Sequence, residues 1–310
     1  MHSNSVVSPA VLHKSPDVGH WSLRIRDRSS YFLVLPWVVH IVVFVIFPLV
    51  FAMFLVFHDW KVVQGTFLPI GLKNLKRLVG DANLGRAIVN TVKLTFVNVA
   101  VSTGLALSMA LLLNAKFKGT AFFRTIFFLP IITSTVVVAL IWRYLLAADL
   151  GFVNYALSLY GIEGPLWLLD PKLSLFSVIS MLIWSGSPFS ILIFLAGLQA
   201  IPHELYEAAE IDGAGMWTSF WNVTIPLLNP TLVLVILLAT ISSLQVFTEP
   251  LVLTQGGPAG SSTTIAVYMY EQGVVSRRYG YASLIGLSLA VGIFVLVTVQ
   301  RRLIERRIDY

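Results

Sequence analysis

The chain has 310 residues, 57% of them hydrophobic and only 12% charged, with a formal net charge of +6 and no cysteine. With a mean hydropathy of +0.83 it is too apolar for a soluble globule of this length. The missing cysteines exclude disulfides, a cysteine-stapled ectodomain and thiol chemistry. The positive charge does not point to nucleic acid, because the basic residues sit at segment ends and tails with no basic stripe interleaved with aromatics.

A spanning helix needs about 20 mostly apolar residues, and six segments qualify: roughly 31–57, 88–114, 122–146, 173–201, 227–254 and 282–300. Residues 1–30 are polar, with Arg24, Arg26 and Arg28 just ahead of the first span and no small-residue cleavage site. The first span is therefore read as retained rather than removed as a signal peptide. Its His40 is expected to be packed or interfacial. The stretch Leu68 to Arg86, broken by Lys73, Lys76, Arg77 and Asp81, is too polar to span and is expected to lie at the interface.

After the third span, Gly151, Gly161, Gly164, Pro165, Trp167 and Asp170-Pro171 read as a loop with short interfacial helices. The fourth span is interrupted by Trp184-Ser185-Gly186-Ser187-Pro188-Phe189. A proline there frees a carbonyl and bends the helix. The small residues beside Trp184 and Phe189 leave room either for a ligand such as a sugar ring or for a plain kink with packed aromatics.

Residues 203–225 differ in kind. Helix formers Glu204 to Ile211 stop at Gly213-Ala214-Gly215, and Met216, Trp217, Phe220 and Trp221 follow before Pro226 and Pro230. The segment holds four acids, Glu204, Glu207, Glu210 and Asp212, and no Lys or Arg. An anionic membrane surface would repel it, so a protein partner with a groove explains it better than a helix lying on lipid.

The fifth span carries Thr240, Ser242, Ser243, Gln245, Thr248 and Glu249 before Pro250, enough polarity for one hydrated face. Glu249 either faces a wet cavity or sits near the outer interface. Thr254 to Thr264 is built of turn formers and cannot continue a helix. In the sixth span, Gly286 and Ala290 allow close helix contact, within the subunit or with another. Arg301, Arg302, Arg306 and Arg307 form a juxtamembrane collar.

An N-terminus-inside orientation places eleven of the 21 Lys and Arg inside, Lys116, Lys118 and Arg124 among them. This is a near-tie, tipped by weighting the tails and the short loop. No histidine pair has metal-ligand spacing, no nucleophile and base pair is visible, and no phosphate-cradling Gly-x-x-x-x-Gly-Lys-Ser/Thr loop is present. Energy from ATP would have to enter through another chain.

Glu207-Ala208-Ala209, then Gly213 after three intervening residues and Val223-Thr224-Ile225-Pro226 after nine more, resemble the hallmark of the membrane subunits of binding-protein-dependent ABC importers. Ile211 to Ala214, Ile-Asp-Gly-Ala, is similar to the extension found in the maltose-type sugar branch. The likeness runs over roughly residues 30 to 300. It includes Lys118-Gly119, Phe122-Phe123-Arg124, Leu129-Pro130, Trp142, Gly151, Asn154, Leu198 to Pro202, and Leu253 to Pro258 with Thr263-Thr264.

The resemblance implies an all-α integral membrane protein with the six-helix type I importer permease fold, in the bacterial plasma (inner) membrane. It implies a cytoplasmic tail at 1–30, a permease domain at 31–300 with a cytoplasmic coupling helix loop at 203–226, and a second cytoplasmic tail at 301–310. The partners implied are a second, homologous permease subunit, two ABC ATPase subunits that bind ATP and Mg, an extracytoplasmic sugar-binding protein and the lipid bilayer. No cofactor is expected in this chain.

Glu207, Ala208, Ala209, Asp212, Gly213, Ala214 and Pro226 would couple to the ATPase, and Gly256, Gly257 and Pro258 would meet the binding protein. Carried over, the cavity lining falls at Ile131, Thr135, Ser185, Gly186, Phe189, Ser242, Ser243 and Val246, to which the polarity of span five adds Gln245 and Glu249. Where the maltose-type permease has asparagines and a tyrosine, this chain has Ser243, Val246 and Ile131. The expected cargo is a neutral disaccharide or oligosaccharide of the trehalose or maltose kind. A glycerol-3-phosphate importer is the nearest alternative, and a secondary carrier is a more distant one.

Overall fold

A computed structural model describes residues 28–115 and 119–304, with side chains from Val34 onward. Arg24, Arg26, Lys116, Lys118, Arg306 and Arg307, and with them most of both predicted tails, lie outside the described residues. The chain divides into two units, residues 1–50 and 51–310. In the first, helix Arg28–Ile41 runs into a π-turn at Val42–Ile46, and the His40 ring packs 5.1 Å from that of Phe44, one turn on.

Five helices are long and apolar enough to cross a membrane: Val34–Val56, Ala82–Asn114, Ser174–Gln199, Met216–Leu244 and Tyr279–Ile304. A sixth span is the bent pair Thr120–Ile132 and Thr135–Leu145, whose halves meet at 103°. The predicted 122–146 span is therefore not one straight helix. Pro130 has no N–H to donate, so the backbone tightens into a 3-10 turn at Leu129–Ile132 and then extends at Thr133 (ψ 136°) and Ser134 (ψ 129°).

Proline also explains two of the π-turns. The turn at Val42–Ile46 ends two residues before Pro48, and the turn at Phe220–Thr224 ends two residues before Pro226. Each proline leaves the carbonyl four residues earlier without its donor, and one looped-out residue absorbs the mismatch. Pro226 therefore does not close the polar segment, as the sequence reading has it, but lies inside a helix that runs unbroken from Met216 to Leu244. The predicted fifth span, 227–254, is corrected at its other end too. The helix stops at Leu244, Gln245–Phe247 is non-helical, and a separate helix begins at Thr248–Thr254.

The stretch read as one interfacial segment, Leu68 to Arg86, also resolves into parts. An antiparallel hairpin pairs His58–Lys61 with Thr66–Pro69, the exception to the otherwise helical fold. Its cross-strand partners Trp60 and Phe67 stack at 5.6 Å. A short helix, Lys73–Gly80, follows, and Asp81 then caps the second span by accepting from the N–H groups of Asn83 (3.0 Å) and Leu84 (3.2 Å). The other carboxylate oxygen accepts from the hydroxyls of Tyr268 and Tyr281, both at 2.7 Å. Burial raises the Asp81 carboxyl, but these four bonds outweigh it and hold the group below its ordinary value. Burial, then the bond to Asp81, pushes Tyr268 up to about 12.

Of the three buried apolar clusters among the described residues of the second unit, two run along the second and fourth spans. One joins Leu94, Val138, Val178, Met181, Leu182 and Val246; the other joins Ala106, Ala110, Ile191, Phe194, Leu198 and Leu228. The second and fourth spans form their common wall. Ala106 and Ala110, one turn apart and fully buried, let the helix axes approach without a groove to fill. Gly197 does the same for the fourth and fifth spans, since a Cβ there would meet the Thr231 hydroxyl at 2.5 Å. At Gly286 a Cβ would meet the Met269 sulfur at 3.0 Å, so that glycine packs within the chain, while Ala290 is exposed.

Candidate functional site

The non-helical break Gln245–Phe247 opens a cavity of about 590 Å³ between the second, third, fourth and fifth spans. The lining includes Ile131, Thr135, Ser185, Gly186, Phe189, Ser242, Ser243, Gln245, Val246 and Glu249, which is every residue the sequence reading assigned to it. The break exists because its polar groups are met from elsewhere: the Thr264 hydroxyl donates to the Val246 carbonyl at 2.9 Å. At the opposing break, the Thr133 hydroxyl bonds back to Leu129 at 3.1 Å. The cavity thus lies where two helices are both interrupted, and irregular backbone at this depth is tolerated only where it lines such a space.

The surface offered is mixed. Phe189 presents an exposed ring, Ser185 and Ser242 hydroxyls sit beside the exposed Gly186, and Gln245 contributes an amide. Glu249 is the one charged side chain among the lining residues, and no Lys or Arg lines it. Trp184 is not part of the wall but packs against Trp142 with ring centroids 6.2 Å apart.

Asn98, in the second span, was missed in the sequence. It is buried, donates from Nδ2 to the Ser243 hydroxyl at 2.8 Å, and its Oδ1 has no partner among the described residues. An asparagine in the middle of a mostly apolar span was the available signal, since an amide there needs a partner or water.

The predicted coupling residues gather at the far end of the fourth span. Helix His203–Ile211 ends in a Schellman motif: the Ala214 N–H donates to the Ala209 carbonyl (2.8 Å) and Gly213 N–H to Glu210 (3.0 Å), with Gly213 at φ +81°. Among the described residues, apart from its chain neighbours, nothing comes within 4 Å of a Cβ built at Gly213. Glu207, Ala208 and Asp212 are exposed, and Ala209 and Ala214 half-buried. Beside them Ile211, Met216, Trp217 and Trp221 stand 61–86% exposed. A 3.0 Å bond between the Tyr206 and Thr224 hydroxyls ties helix His203–Ile211 back to the one that follows.

At the other end, Gln255, Gly256 and Gly257 take three successive left-handed conformations. A Cβ at Gly256 would meet the Thr263 hydroxyl at 2.6 Å, and one at Gly257 the Ser262 hydroxyl at the same distance. Asn90 donates to the carbonyls of Gly260 (2.9 Å) and Thr263 (3.1 Å), and Ser174 meets Ser261 at 2.7 Å. Gly256 is buried, Gly257 and Pro258 are half-buried, and Ala259 is the exposed tip.

Six candidate spans, one of them broken, with a polar cavity at helix interruptions among the second to fifth, define a multi-pass membrane protein of the transport class. Residues 102–310 match the family described as the binding-protein-dependent transport system inner membrane component. The chain belongs to that family of transport permeases.

It is 36% identical over 280 residues to the trehalose/maltose transport system permease protein MalF of Thermococcus litoralis, covering 89% of this chain and 92% of that one. It is 34% identical over 275 residues to the multiple sugar-binding transport system permease protein MsmF of Streptococcus mutans, covering 89% and 94%. Among solved structures it is similar to a chain of a bacterial alginate ABC transporter in complex with alginate pentasaccharide-bound periplasmic protein. The TM-score there is 0.79 at 26% identity, over 91% of this chain and 97% of that one.

Proposed function

We propose that this chain is the sugar-conducting subunit of an ATP-driven importer, carrying a neutral disaccharide or oligosaccharide through the cavity at Gln245–Phe247. The lining carries the reading: hydroxyls, amides and an aromatic face, with no cation to compensate a phosphate or a row of uronates. A sugar ring presents C–H faces that suit Phe189 and hydroxyls that suit Ser185, Ser242, Gln245 and the unpartnered oxygen of Asn98. The sugar-importer relatives support the same class. Competition of radiolabelled sugar uptake, in proteoliposomes holding the assembled transporter, tests it. Neutral oligosaccharides should compete and sugar phosphates should not; the reverse would overturn the assignment.

The exposed platform around Glu207 and Gly213 is proposed as the coupling element, seated in a groove of an ATPase subunit on the cytoplasmic side. Its support is an uncovered apolar patch rimmed by acids, an arrangement that marks an interaction site. The chain itself would carry no catalytic step, ATP and Mg being held by two partner ATPases, and a second permease subunit would close the other side of the pathway. The loop around Gly256 to Pro258 is proposed to meet the binding protein, with Ala259 as the contacting tip. Because the chain has no cysteine, single cysteines at Ala259 and at Glu210 report the orientation directly. An impermeant thiol reagent added outside cells should label the first and not the second.

A further inference from the structure

At the end of the bundle remote from His203–Ile211, a cavity of about 510 Å³ lies between strand His58–Lys61, helix Lys73–Gly80 and the start of Tyr279–Ile304. Lys73, Arg77 and Arg278 line it with one carboxylate, Asp59. None of the three cations is in an ion pair, since the pair among the described residues is His203 with Glu207. Asp81, close by in the chain, is taken up by the hydroxyls of Tyr268 and Tyr281.

Arg77 and Arg278 instead donate to the same neutral oxygen, Oε1 of the buried Gln272, at 3.1 and 3.3 Å. The Arg77 guanidinium also lies over the Tyr281 ring, 4.2 Å from its centroid. Two guanidiniums are thus fastened side by side with a lysine on the same rim, and like charges so placed repel unless an anion joins them. Planar donor forks converging with a point charge match a tetrahedral oxyanion.

The surroundings set the depth. Trp60 packs on Phe67 and on Tyr279 at 5.6 and 5.1 Å, and Val63 and Val79 are about nine-tenths exposed. Amphipathic rings with bare aliphatic side chains mark the headgroup layer of a bilayer. We propose that this cavity binds a phosphate group, of the kind an anionic phospholipid presents at that layer. It is separate from the transport cavity, with which it shares no residue.

Native mass spectrometry of the full chain with its co-purifying subunits tests the site. The complex is supplied in turn with phosphatidylglycerol, phosphatidylcholine and inorganic phosphate. Wild type should retain phosphatidylglycerol over phosphatidylcholine. Lys73→Gln and Arg278→Gln, both at exposed positions, should each weaken that retention about fivefold, whereas Lys73→Arg should keep it. If the same variants weaken only the retention of inorganic phosphate, the phosphate site stands and its source is solution rather than lipid. Equal retention of both ligands by wild type and variants would overturn it. So would variants that change nothing here but lose affinity for a soluble protein partner, because the basic rim would then serve an acidic protein surface.

Discussion

The two ends of the bundle are built on opposite plans. Around Gly256 the chain spends its polar groups on itself: serine and threonine hydroxyls, the Asn90 amide and three left-handed residues lock one loop shape. Around Gly213 it spends almost none, leaving four acids and several large apolar side chains bare. A loop that satisfies its own hydrogen bonds is a finished surface. A platform that leaves its apolar face uncovered is the surface the proposed ATPase contact would use.

Substitutions sharpen that contrast. Gly256→Val should cost most, roughly 3 kcal/mol from left-handed strain plus the clash with Thr263, read as a lower melting temperature in detergent. Asp81→Ala, at the same end, should cost about 2 kcal/mol through a lost helix cap and two lost hydroxyl bonds. Because the folded carboxyl lies below its ordinary value, its contribution is complete above the ordinary carboxylate range. It fades as pH falls through the lowered folded value, so the gap in melting temperature between wild type and Asp81→Ala should narrow as pH drops below the ordinary carboxylate range.

At the platform, Gly213→Ala should cost only about 1 kcal/mol, since the penalty is backbone conformation without a steric neighbour. Gly213→Trp should nonetheless abolish uptake while the protein still assembles, and normal uptake by that variant would sink the coupling assignment. Smallest in stability is Trp217→Ser, expected within about 0.5 kcal/mol of wild type. Its effect belongs in pull-down of the ATPase subunits, which should weaken.

Much of this was legible in the chain. Apolar length located the six spans, the Glu207 to Gly213 pattern marked the platform, and the polar run Ser242 to Glu249 pointed to a hydrated face, while the rest of the expected lining came from the family resemblance. What escaped depends on partners distant in sequence. The end of the fifth span at Leu244 could not be read because the Val246 carbonyl is satisfied by Thr264, eighteen residues on. The hairpin at His58–Lys61 was hidden by a polar stretch whose pairing has no strong turn signature. Asn98 is polar in an otherwise ordinary span, and only its place opposite Ser243 gives it a role in the cavity.

The helix Met216–Leu244 has 29 residues, about 43 Å at 1.5 Å per residue, and contains no glycine. One end carries Trp217 and Trp221 in the open; the other carries Ser242 and Ser243 into the cavity wall. It is in effect a rod jointed near one end: the π-turn at Phe220–Thr224, Pro226 and Pro230 lie on the tryptophan side, so any bend falls there, and the stretch from Thr231 to the serines moves as one piece.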